Sequence, residues 1–395
     1  KGEFEIYFGD NIVGKKPDNN NILIFRYLNT KGTLANGVGN SDKENARVFT
    51  YSSGTVKVVS ASSGGADAES IKSIKYYAPK TYQAQDRSVT AKDYEALLLK
   101  DYPDIESVYV WGGQDNDPPE YGKVFISIKP KSGLTIDATK KENIKRDILK
   151  KKNIVSVTPE LLDPDFIYLL VESNIVYDNV KTILDKKTLK SLVKNTITDY
   201  VDNDLEKFDR DLYFSKLTKL MDEASDSIVG NDTHIKLQKR FVPALNVTAN
   251  YKVKFGNPIY HPHDGHMPII LSTAFKYKDD DNIVFEGYFE DDGWGKIQLF
   301  KYSSLGKKVL VYYGTNSMGT VNYTTGEIDI NNFRPISFIG DSNIRINCKP
   351  ANKNIFAKQS AILTIDKTDA EAVILTVEDK ATSNRHGTSG ISSIY

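Results

Sequence analysis

The sequence has few of the residues that cross-link a chain or anchor it in a membrane. Its 395 residues include a single cysteine, Cys348, which excludes an internal disulfide and is typical of synthesis in a reducing cytoplasm. No stretch approaches the roughly 20 consecutive apolar residues of a membrane-spanning helix, and the first residues contain no apolar signal core. The sequence therefore predicts no disulfide framework and no membrane partner.

A net charge is also lacking. Lysine plus arginine and aspartate plus glutamate both number 52, so the formal net charge is zero. Long-range attraction to nucleic acid or to an anionic membrane needs an excess of positive charge. The balance therefore argues against a nucleic-acid partner.

Aromatic residues, by contrast, are plentiful and are mostly tyrosine. The chain has 23 Tyr and 17 Phe but only 2 Trp. Tyrosine offers a large contact area with a polar tip that tolerates partial exposure, which suits an interface protein. The same residues are common in ordinary β-strands, so a β-rich fold explains them equally well.

The pattern along the chain predicts a multidomain α+β fold. Short alternating strands, separated by Gly, Asn and Asp clusters, fill residues 1–65. Residues 66–243 predict an α+β layer domain with a mostly antiparallel sheet, residues 244–377 an all-β sandwich or barrel, and residues 378–395 a flexible tail. Because the chain starts without methionine and runs directly into a strand pattern, we interpret residues 1–65 as the C-terminal part of a truncated domain.

Helices are predicted from capping residues and apolar spacing. Asp67 is expected to cap a helix that ends at Pro79, and Thr90 with Asp93 resembles a capping box in which Asp replaces Glu. Further helices are predicted over residues 137–151, 186–208 and 217–224. The apolar stripe of the 186–208 helix packs inside its own domain or forms an interface.

Strands are predicted from alternating apolar residues bounded by turn residues. They are expected at Phe4–Phe8, Asn21–Tyr27, Val48–Tyr51, Thr55–Ser60, Ile105–Trp111, Val124–Ile128, Ile154–Thr158, Phe166–Val171, Val253–Phe255, Ile269–Tyr277, Ile283–Phe289, Ile297–Tyr302, Val309–Tyr313, Glu327–Ile330, Ile344–Asn347, Ile362–Ile365 and Val373–Val377.

One segment has most of the spacing of a phosphate-binding loop. Gly9 and Gly14 are followed by Lys15, as in a loop whose backbone amides and lysine bind phosphates. The position that should carry a magnesium-binding hydroxyl is Lys16, and Pro17 follows, so no helix start is available. A glycine-flanked turn between strands is the preferred interpretation.

A second segment collects histidines. His261, His263 and His266 lie within six residues, and imidazole nitrogens suit zinc or nickel. Their spacing matches no established zinc motif, and Cys348 is a poor fourth ligand. A solvated loop between strands is the preferred interpretation, with a metal-stabilised binding module as the alternative.

Two acidic runs, Asp279–Asn282 and Glu290–Gly293, lack the alternating pattern of a calcium loop and are predicted to be charged hairpin turns. No nucleophile elbow, zinc-protease helix or dinucleotide-binding glycine motif is present. The sequence therefore nominates no catalytic, cofactor-binding or metal-binding residue and predicts that the protein is not an enzyme.

An ordered series of small, capping and proline residues runs through the first third of the chain. It consists of the segments Ile6–Lys15, Tyr27–Gly32, Ala35–Gly37, Gly64–Ile74, Ala78–Pro79, Arg87–Thr90 and Asp93–Tyr94. This series resembles the baseplate J-like proteins of contractile phage tails, most closely the large wedge subunits of myoviruses. The match covers residues 1 to about 130, and a glycine-turned hairpin at residues 319–330 also looks typical of that family.

The resemblance implies a structural role in the virion. A protein of this family is expected to dimerise, to bind other wedge subunits and to link wedges into the ring around the hub. That ring supports tail assembly and the change of baseplate shape that triggers sheath contraction. Hub and sheath-initiating proteins are further candidate partners, and assembly is expected in the host cytoplasm. The alternative is a virion protein that binds or cleaves carbohydrate through a tyrosine-rich β domain and paired carboxylates.

Overall fold

The computed structural model describes residues 7–12, 14–22, 24, 31–35, 48–51, 54–57, 65, 67–85, 87–102, 104–116, 118–153, 156–278 and 282–380. The chain forms two compact units, Lys1–Ile71 and Lys72–Tyr395. No helix in the described ranges combines the length and apolar composition needed to cross a membrane.

The first unit contains one antiparallel hairpin, β1 (Val48–Tyr51) with β2 (Gly54–Lys57), and a 3-10 turn, Gly32–Ala35. The hairpin confirms the predicted strand at Val48–Tyr51. The predicted strands Phe4–Phe8 and Asn21–Tyr27 lie largely outside the described residues, as do the last three residues of Thr55–Ser60.

The predicted role of Asp67 is wrong. Its carboxylate accepts hydrogen bonds from the amide and hydroxyl of Thr33, at 3.3 and 3.2 Å. The following helix, α1 (Ile71–Ala84), begins four residues later, and it continues through Pro79 instead of ending there. An internal proline removes one helical hydrogen bond. Because Pro79 is exposed, water can satisfy the carbonyl that this leaves free.

The second unit continues with a three-stranded sheet covered by helices. Its elements are α2 (Ala91–Asp101), β3 (Ile105–Gly112), β4 (Lys123–Pro130), α3 (Ala138–Ile144), a π-helical turn (Lys145–Leu149), α4 (Lys150–Lys152) and β5 (Thr158–Leu162). The strand order is β3-β4-β5, in which β3 is antiparallel and β5 parallel to β4.

Local sequence explains where these helices start. Thr90 Oγ1 accepts from the Asp93 amide at 3.3 Å, and Asp93 Oδ2 accepts from the Thr90 amide at 2.8 Å, which confirms the capping box. Asp137 caps α3 by accepting from the Lys140 amide at 2.7 Å. Of the strand predicted at Ile154–Thr158, residues 154 and 155 lie outside the described residues, and residues 156 and 157 precede β5, which begins at Thr158.

The rest of the second unit is built on a large curled sheet. Its elements are β6 (Asp165–Tyr177), α5 (Lys186–Tyr200), a π-helical turn (Val201–Leu205), α6 (Phe214–Asp222), β7 (Ile228–Phe241), β8 (Ala249–Lys254), β9 (Leu271–Ser272), β10 (Phe275–Lys278), β11 (Val284–Asp291), β12 (Lys296–Tyr302), β13 (Lys308–Tyr312), β14 (Gly319–Asn322), β15 (Glu327–Phe333), β16 (Ser337–Phe338), β17 (Ile344–Cys348), β18 (Ala361–Thr364) and β19 (Val373–Asp379).

Within the described ranges this sheet has the order β18-β6-β7-β17-β9-β11-β12-β14-β15-β8. Strand β19 continues the edge beside β6, β10 pairs with β11 and β16, and β13 pairs with β12. Residue 243 is the predicted boundary between the second and third domains, and strands on both sides of it belong to this sheet. The predicted domain limits of 1–65, 66–243, 244–377 and 378–395 stay a prediction. A multidomain α+β fold with a β-rich C-terminal region is confirmed.

Helix α5 packs inside its own unit. Val193, Ile197 and Tyr200 are buried in the same apolar core as Leu169 of β6 and Leu375 of β19. The apolar stripe of α5 is therefore part of the core and not an exposed interface. Of the two interpretations that the sequence allowed, packing inside its own domain is confirmed.

Candidate functional site

The loop between β8 and β9 brings the three clustered histidines together. The ring centroids of His261 and His266 lie 4.8 Å apart, and those of His263 and His266 lie 6.4 Å apart. The sequence predicted that these histidines lie in a solvated loop. His263 is exposed, but the prediction is wrong for His266, which is 6 % exposed. The imidazole of His266 donates from Nδ1 to the Met267 carbonyl at 2.7 Å.

The acidic run Glu290–Gly293, predicted to be a charged hairpin turn, is only half in a turn: Asp292 and Gly293 lie in the connection between β11 and β12, but the first two residues do not. Glu290 and Asp291 end β11, and Asp291 is fully buried. Its Oδ1 accepts from the amides of Ile269 and Ile270 at 2.7 and 2.8 Å, and its Oδ2 accepts from the Tyr323 hydroxyl at 2.8 Å. Three donors satisfy a carboxylate that burial would otherwise destabilise.

This carboxylate joins three parts of the sheet. The amides come from the segment before β9, the carboxylate from β11, and the hydroxyl from the turn between β14 and β15. Burial, followed by the Asp291 charge, raises the pKa of Tyr323, which keeps the phenol protonated and donating. The group is therefore a structural crosslink, and its burial has no local sequence signal.

The histidines do not form a metal centre around that carboxylate. His266 Nε2 is buried without a hydrogen-bond partner in the described part of the chain, and it lies 3.9 Å from Asp291 Oδ2. Across the described residues no group of three or more His, Cys, Asp or Glu side chains is arranged to hold a metal ion. The assignment of no metal-binding, cofactor-binding or catalytic residue stays a prediction.

The segment that resembles a phosphate loop forms a tight turn. The Asn11 amide donates to the Gly14 carbonyl at 3.0 Å, and the Lys16 amide donates to Asn11 Oδ1 at 2.9 Å. Asn11 and Gly14 have positive φ angles of 75° and 88°. The described residues between 7 and 22 contain no helix, so the helix start that phosphate binding uses is absent there.

A cleft of about 480 Å³ lies beside α2, β3 and the segment after the second π-helical turn. Its lining includes the aromatic side chains Tyr109 and Phe208 and the carboxyl groups of Glu95 and Asp209. Burial raises the pKa of both carboxyl groups. At Glu95 the charge of Lys80 opposes this rise and the charge of Asp209 adds to it. The sequence could not nominate this pair because only the fold brings α2 beside residue 209.

Apolar side chains are exposed on the hairpin formed by β12 and β13. Leu305 at its tip is 84 % exposed, and Val309 and Leu310 on β13 are 41 % and 36 % exposed. Tyr302 and Tyr313, at the two ends of the hairpin, are also more than half exposed. Several exposed apolar residues on one hairpin make it a candidate interaction surface.

Comparisons with known proteins bear on the middle of the chain. Residues 90–162 match the family model of baseplate structural protein gp6, C-terminal domain I, and residues 165–240 match that of its C-terminal domain III. Both matches are to one baseplate structural protein. The chain is also 27 % identical over 281 residues to the baseplate wedge protein gp6 of Enterobacteria phage T4, which covers 65 % of this chain and 42 % of that protein.

A solved structure gives weaker information. It is a cryo-EM structure of the anti-feeding prophage baseplate, 14 % identical, covering 46 % of this chain and 42 % of that chain with a TM-score of 0.33. A similarity that low supports no argument about the fold.

The resemblance seen in the sequence is confirmed in its coarser form, as similarity to a baseplate wedge protein. The segment that carried it, residues 1 to about 130, overlaps the two family matches only from residue 90 onward. The narrower baseplate J-like assignment stays a prediction. The chain spans less than half the length of the wedge protein from phage T4.

Proposed function

We propose that this chain is a structural subunit of the baseplate wedge of a contractile-tailed bacteriophage and acts by binding its neighbours. The observation that carries the proposal is the pair of adjacent matches to C-terminal domains I and III of one baseplate structural protein.

The matched and unmatched segments form one structural piece. Strands β18 and β19, which follow the matched residues by more than a hundred positions, pair in parallel with β6 inside the second match. Strand β17 pairs with β7 of the same match. Strands outside the second match therefore complete the sheet to which the matched strands β6 and β7 belong.

The finer proposal is that the subunit dimerises, binds other wedge subunits and links wedges into the ring around the hub. It would then be needed for tail assembly and for the shape change that triggers sheath contraction, and it would be assembled in the host cytoplasm and located in the virion baseplate. The support is the similarity to a baseplate wedge protein, together with the exposed apolar residues on the hairpin of β12 and β13.

Sedimentation velocity of the full chain, alone and mixed with the purified wedge subunits of the same phage, tests the proposal. We expect a faster-sedimenting complex in the mixture. A Lys187→Ala variant, changed at an exposed position of α5, is a surface-substitution control and should sediment like the unmodified chain. A strict monomer, both alone and in the mixture, would contradict the proposal.

A further inference from the structure

An exposed tryptophan lies in the connection between β11 and β12. Trp294 is 69 % exposed. The other tryptophan of the chain, Trp111, stacks on Phe125 with 5.6 Å between the ring centroids and donates from Nε1 to Asn116 Oδ1 at 2.7 Å. Tryptophan has a large apolar area and is enriched among the few residues that supply most of the binding energy of protein interfaces. The position of Trp294 is therefore that of an interface anchor.

The backbone around Trp294 is braced from two sides. The Trp294 amide donates to Asp292 Oδ1 at 2.8 Å, and the Gly293 carbonyl accepts from the Gly265 amide at 2.9 Å. A Cβ placed on Gly265 would lie 3.0–3.1 Å from Trp294 Nε1, Cε2 and Cζ2, so this edge of the indole rests on the loop between β8 and β9. A side chain that is positioned before binding loses little conformational entropy when a partner covers it.

A carboxylate lies next to the loop residue on which the indole rests. Asp264 directly precedes Gly265, and its side chain is 71 % exposed. Its Oδ1 lies 3.1 Å from Nε2 of His261, whereas no group in the described part of the chain donates to its Oδ2. The lysine nearest to the tryptophan in the sequence, Lys296, is engaged elsewhere, because its ammonium donates to the Gly314 carbonyl at 3.0 Å. The surface therefore offers an aromatic ring and an open carboxylate oxygen at neighbouring positions.

The guanidinium group of arginine matches this combination. It is planar, stacks on aromatic rings and donates hydrogen bonds to carboxylate oxygens from the same rigid group. Tryptophan also gives the strongest cation–π attraction among the aromatic side chains. We propose that Trp294 and Asp264 together bind an arginine side chain of another wedge subunit. The inference rests on the proposed function and names one contact surface and the chemistry of its partner.

Binding of the purified wedge subunits of the same phage to the full chain, measured by sedimentation velocity, tests the anchor. We expect Trp294→Ala to weaken binding at least about tenfold, as truncation of an interface anchor does. Trp294→Phe keeps a ring with a weaker cation–π attraction and should bind with an intermediate affinity. Tyr121→Ala is the matched control, because this aromatic side chain is 82 % exposed in the connection between β3 and β4. We expect it to change the affinity by less than about twofold.

Asp264→Asn tests the charge of the partner side chain. The variant keeps the shape of the side chain and removes its negative charge, so we expect binding to weaken about three- to tenfold. Its affinity should also fall less steeply than that of the unmodified chain as salt rises from about 0.1 M to about 0.5 M, because one charged pair fewer is screened. Binding that needs Trp294 but is unchanged in Asp264→Asn at both salt concentrations would show that an uncharged group, such as a sugar ring, covers the indole and that the arginine assignment is wrong.

Fluorescence shows whether the partner covers the indole. Trp111→Phe leaves Trp294 as the only tryptophan of the chain, and labelling with 5-hydroxytryptophan allows it to be excited apart from the tryptophans of the partner. We expect acrylamide to quench this emission at least about twofold less in the complex than in the free chain, because the core of an interface excludes solvent.

The outcomes separate this surface from the proposed function. If Trp294→Ala binds the wedge subunits like the unmodified chain, or if quenching is unchanged in the complex, the arginine site fails and the wedge role stands. If Trp294→Ala weakens only self-association, a second copy covers the indole and the assignment to another subunit is wrong. If the unmodified chain binds no wedge subunit, the proposed function and this inference both fail.

Discussion

Replacement of Asp291 gives a sharp test of the buried network, because three donors converge on its carboxylate. In Asp291→Ala the amides of Ile269 and Ile270 and the hydroxyl of Tyr323 lose their acceptor. Each buried donor left without a partner costs about 1–3 kcal/mol. Because the tyrosine hydroxyl can reorient towards water, the two backbone amides dominate, and we expect a loss of about 2–6 kcal/mol in the free energy of unfolding.

Asp291→Asn separates the hydrogen bonds from the shape of the side chain. The amide oxygen can still accept from both backbone amides, and the Tyr323 hydroxyl can accept from the new NH₂ group. The hydrogen bonds lose only the extra strength that a charged acceptor gives them. We therefore expect the free energy of unfolding to fall by about 1–2 kcal/mol. Asp264→Asn is the surface control, since its side chain is 71 % exposed, and we expect a change within about 0.5 kcal/mol.

Denaturant unfolding measures the stability of these variants, and amide hydrogen exchange of residues 265–275 locates the effect. We expect Asp291→Ala to be the most destabilising variant, Asp291→Asn the next and Asp264→Asn the least. We also expect faster hydrogen exchange at the amides of Ile269 and Ile270 in Asp291→Ala. Unchanged stability of Asp291→Ala, together with unchanged exchange at those two amides, would show that the Asp291 carboxylate does not stabilise the fold through them.

Two further predictions concern a turn and an acid-sensitive ion pair. Gly326→Ala and Gly306→Ala both place alanine at a φ near 73°, which costs about 1–2 kcal/mol, but only at Gly326 would the new Cβ lie 2.0 Å from a backbone oxygen. Gly326→Ala should therefore unfold at a clearly lower temperature than Gly306→Ala, and equal melting temperatures would contradict the clash. Burial raises the pKa of Asp366, but hydrogen bonds from Thr368 and Arg240 lower it to about 2. A lowered folded-state pKa gives stability that is present above the unfolded value of about 4 and lost as the pH falls towards 2. Unfolding between pH 5 and pH 2 should therefore show less pH dependence in Asp366→Asn, and an unchanged dependence would contradict the assignment.

Features determined by neighbouring residues could be predicted from the sequence. The capping box at Thr90 and Asp93 joins residues three positions apart, and the hairpin of β14 and β15 turns at Gly326 because that position needs a positive φ. The start of α5 at Lys186 could also be predicted from the helical spacing of its apolar stripe, whereas the predicted end at residue 208 lies beyond Tyr200 and beyond the π-helical turn that ends at Leu205. In each case a local pattern contains the physical cause of the structure.

Features determined by distant contacts could not be predicted in this way. Asp291 resembles a surface acid in the sequence, and it is buried only because Tyr323 and the segment before β9 fold over it. The cleft that contains Glu95 and Asp209 likewise depends on how distant segments pack. Helix α1 passed its expected end at Pro79 because that proline faces solvent, which the sequence does not specify.

The most direct test of the wedge assignment is a cryo-EM reconstruction of baseplates from the phage that encodes this chain. We expect density for residues 90–240 and for the large sheet within the wedges, in contact with other subunits. A well-resolved baseplate that lacks density for this chain, supported by its absence from the protein content of purified particles, would contradict the account.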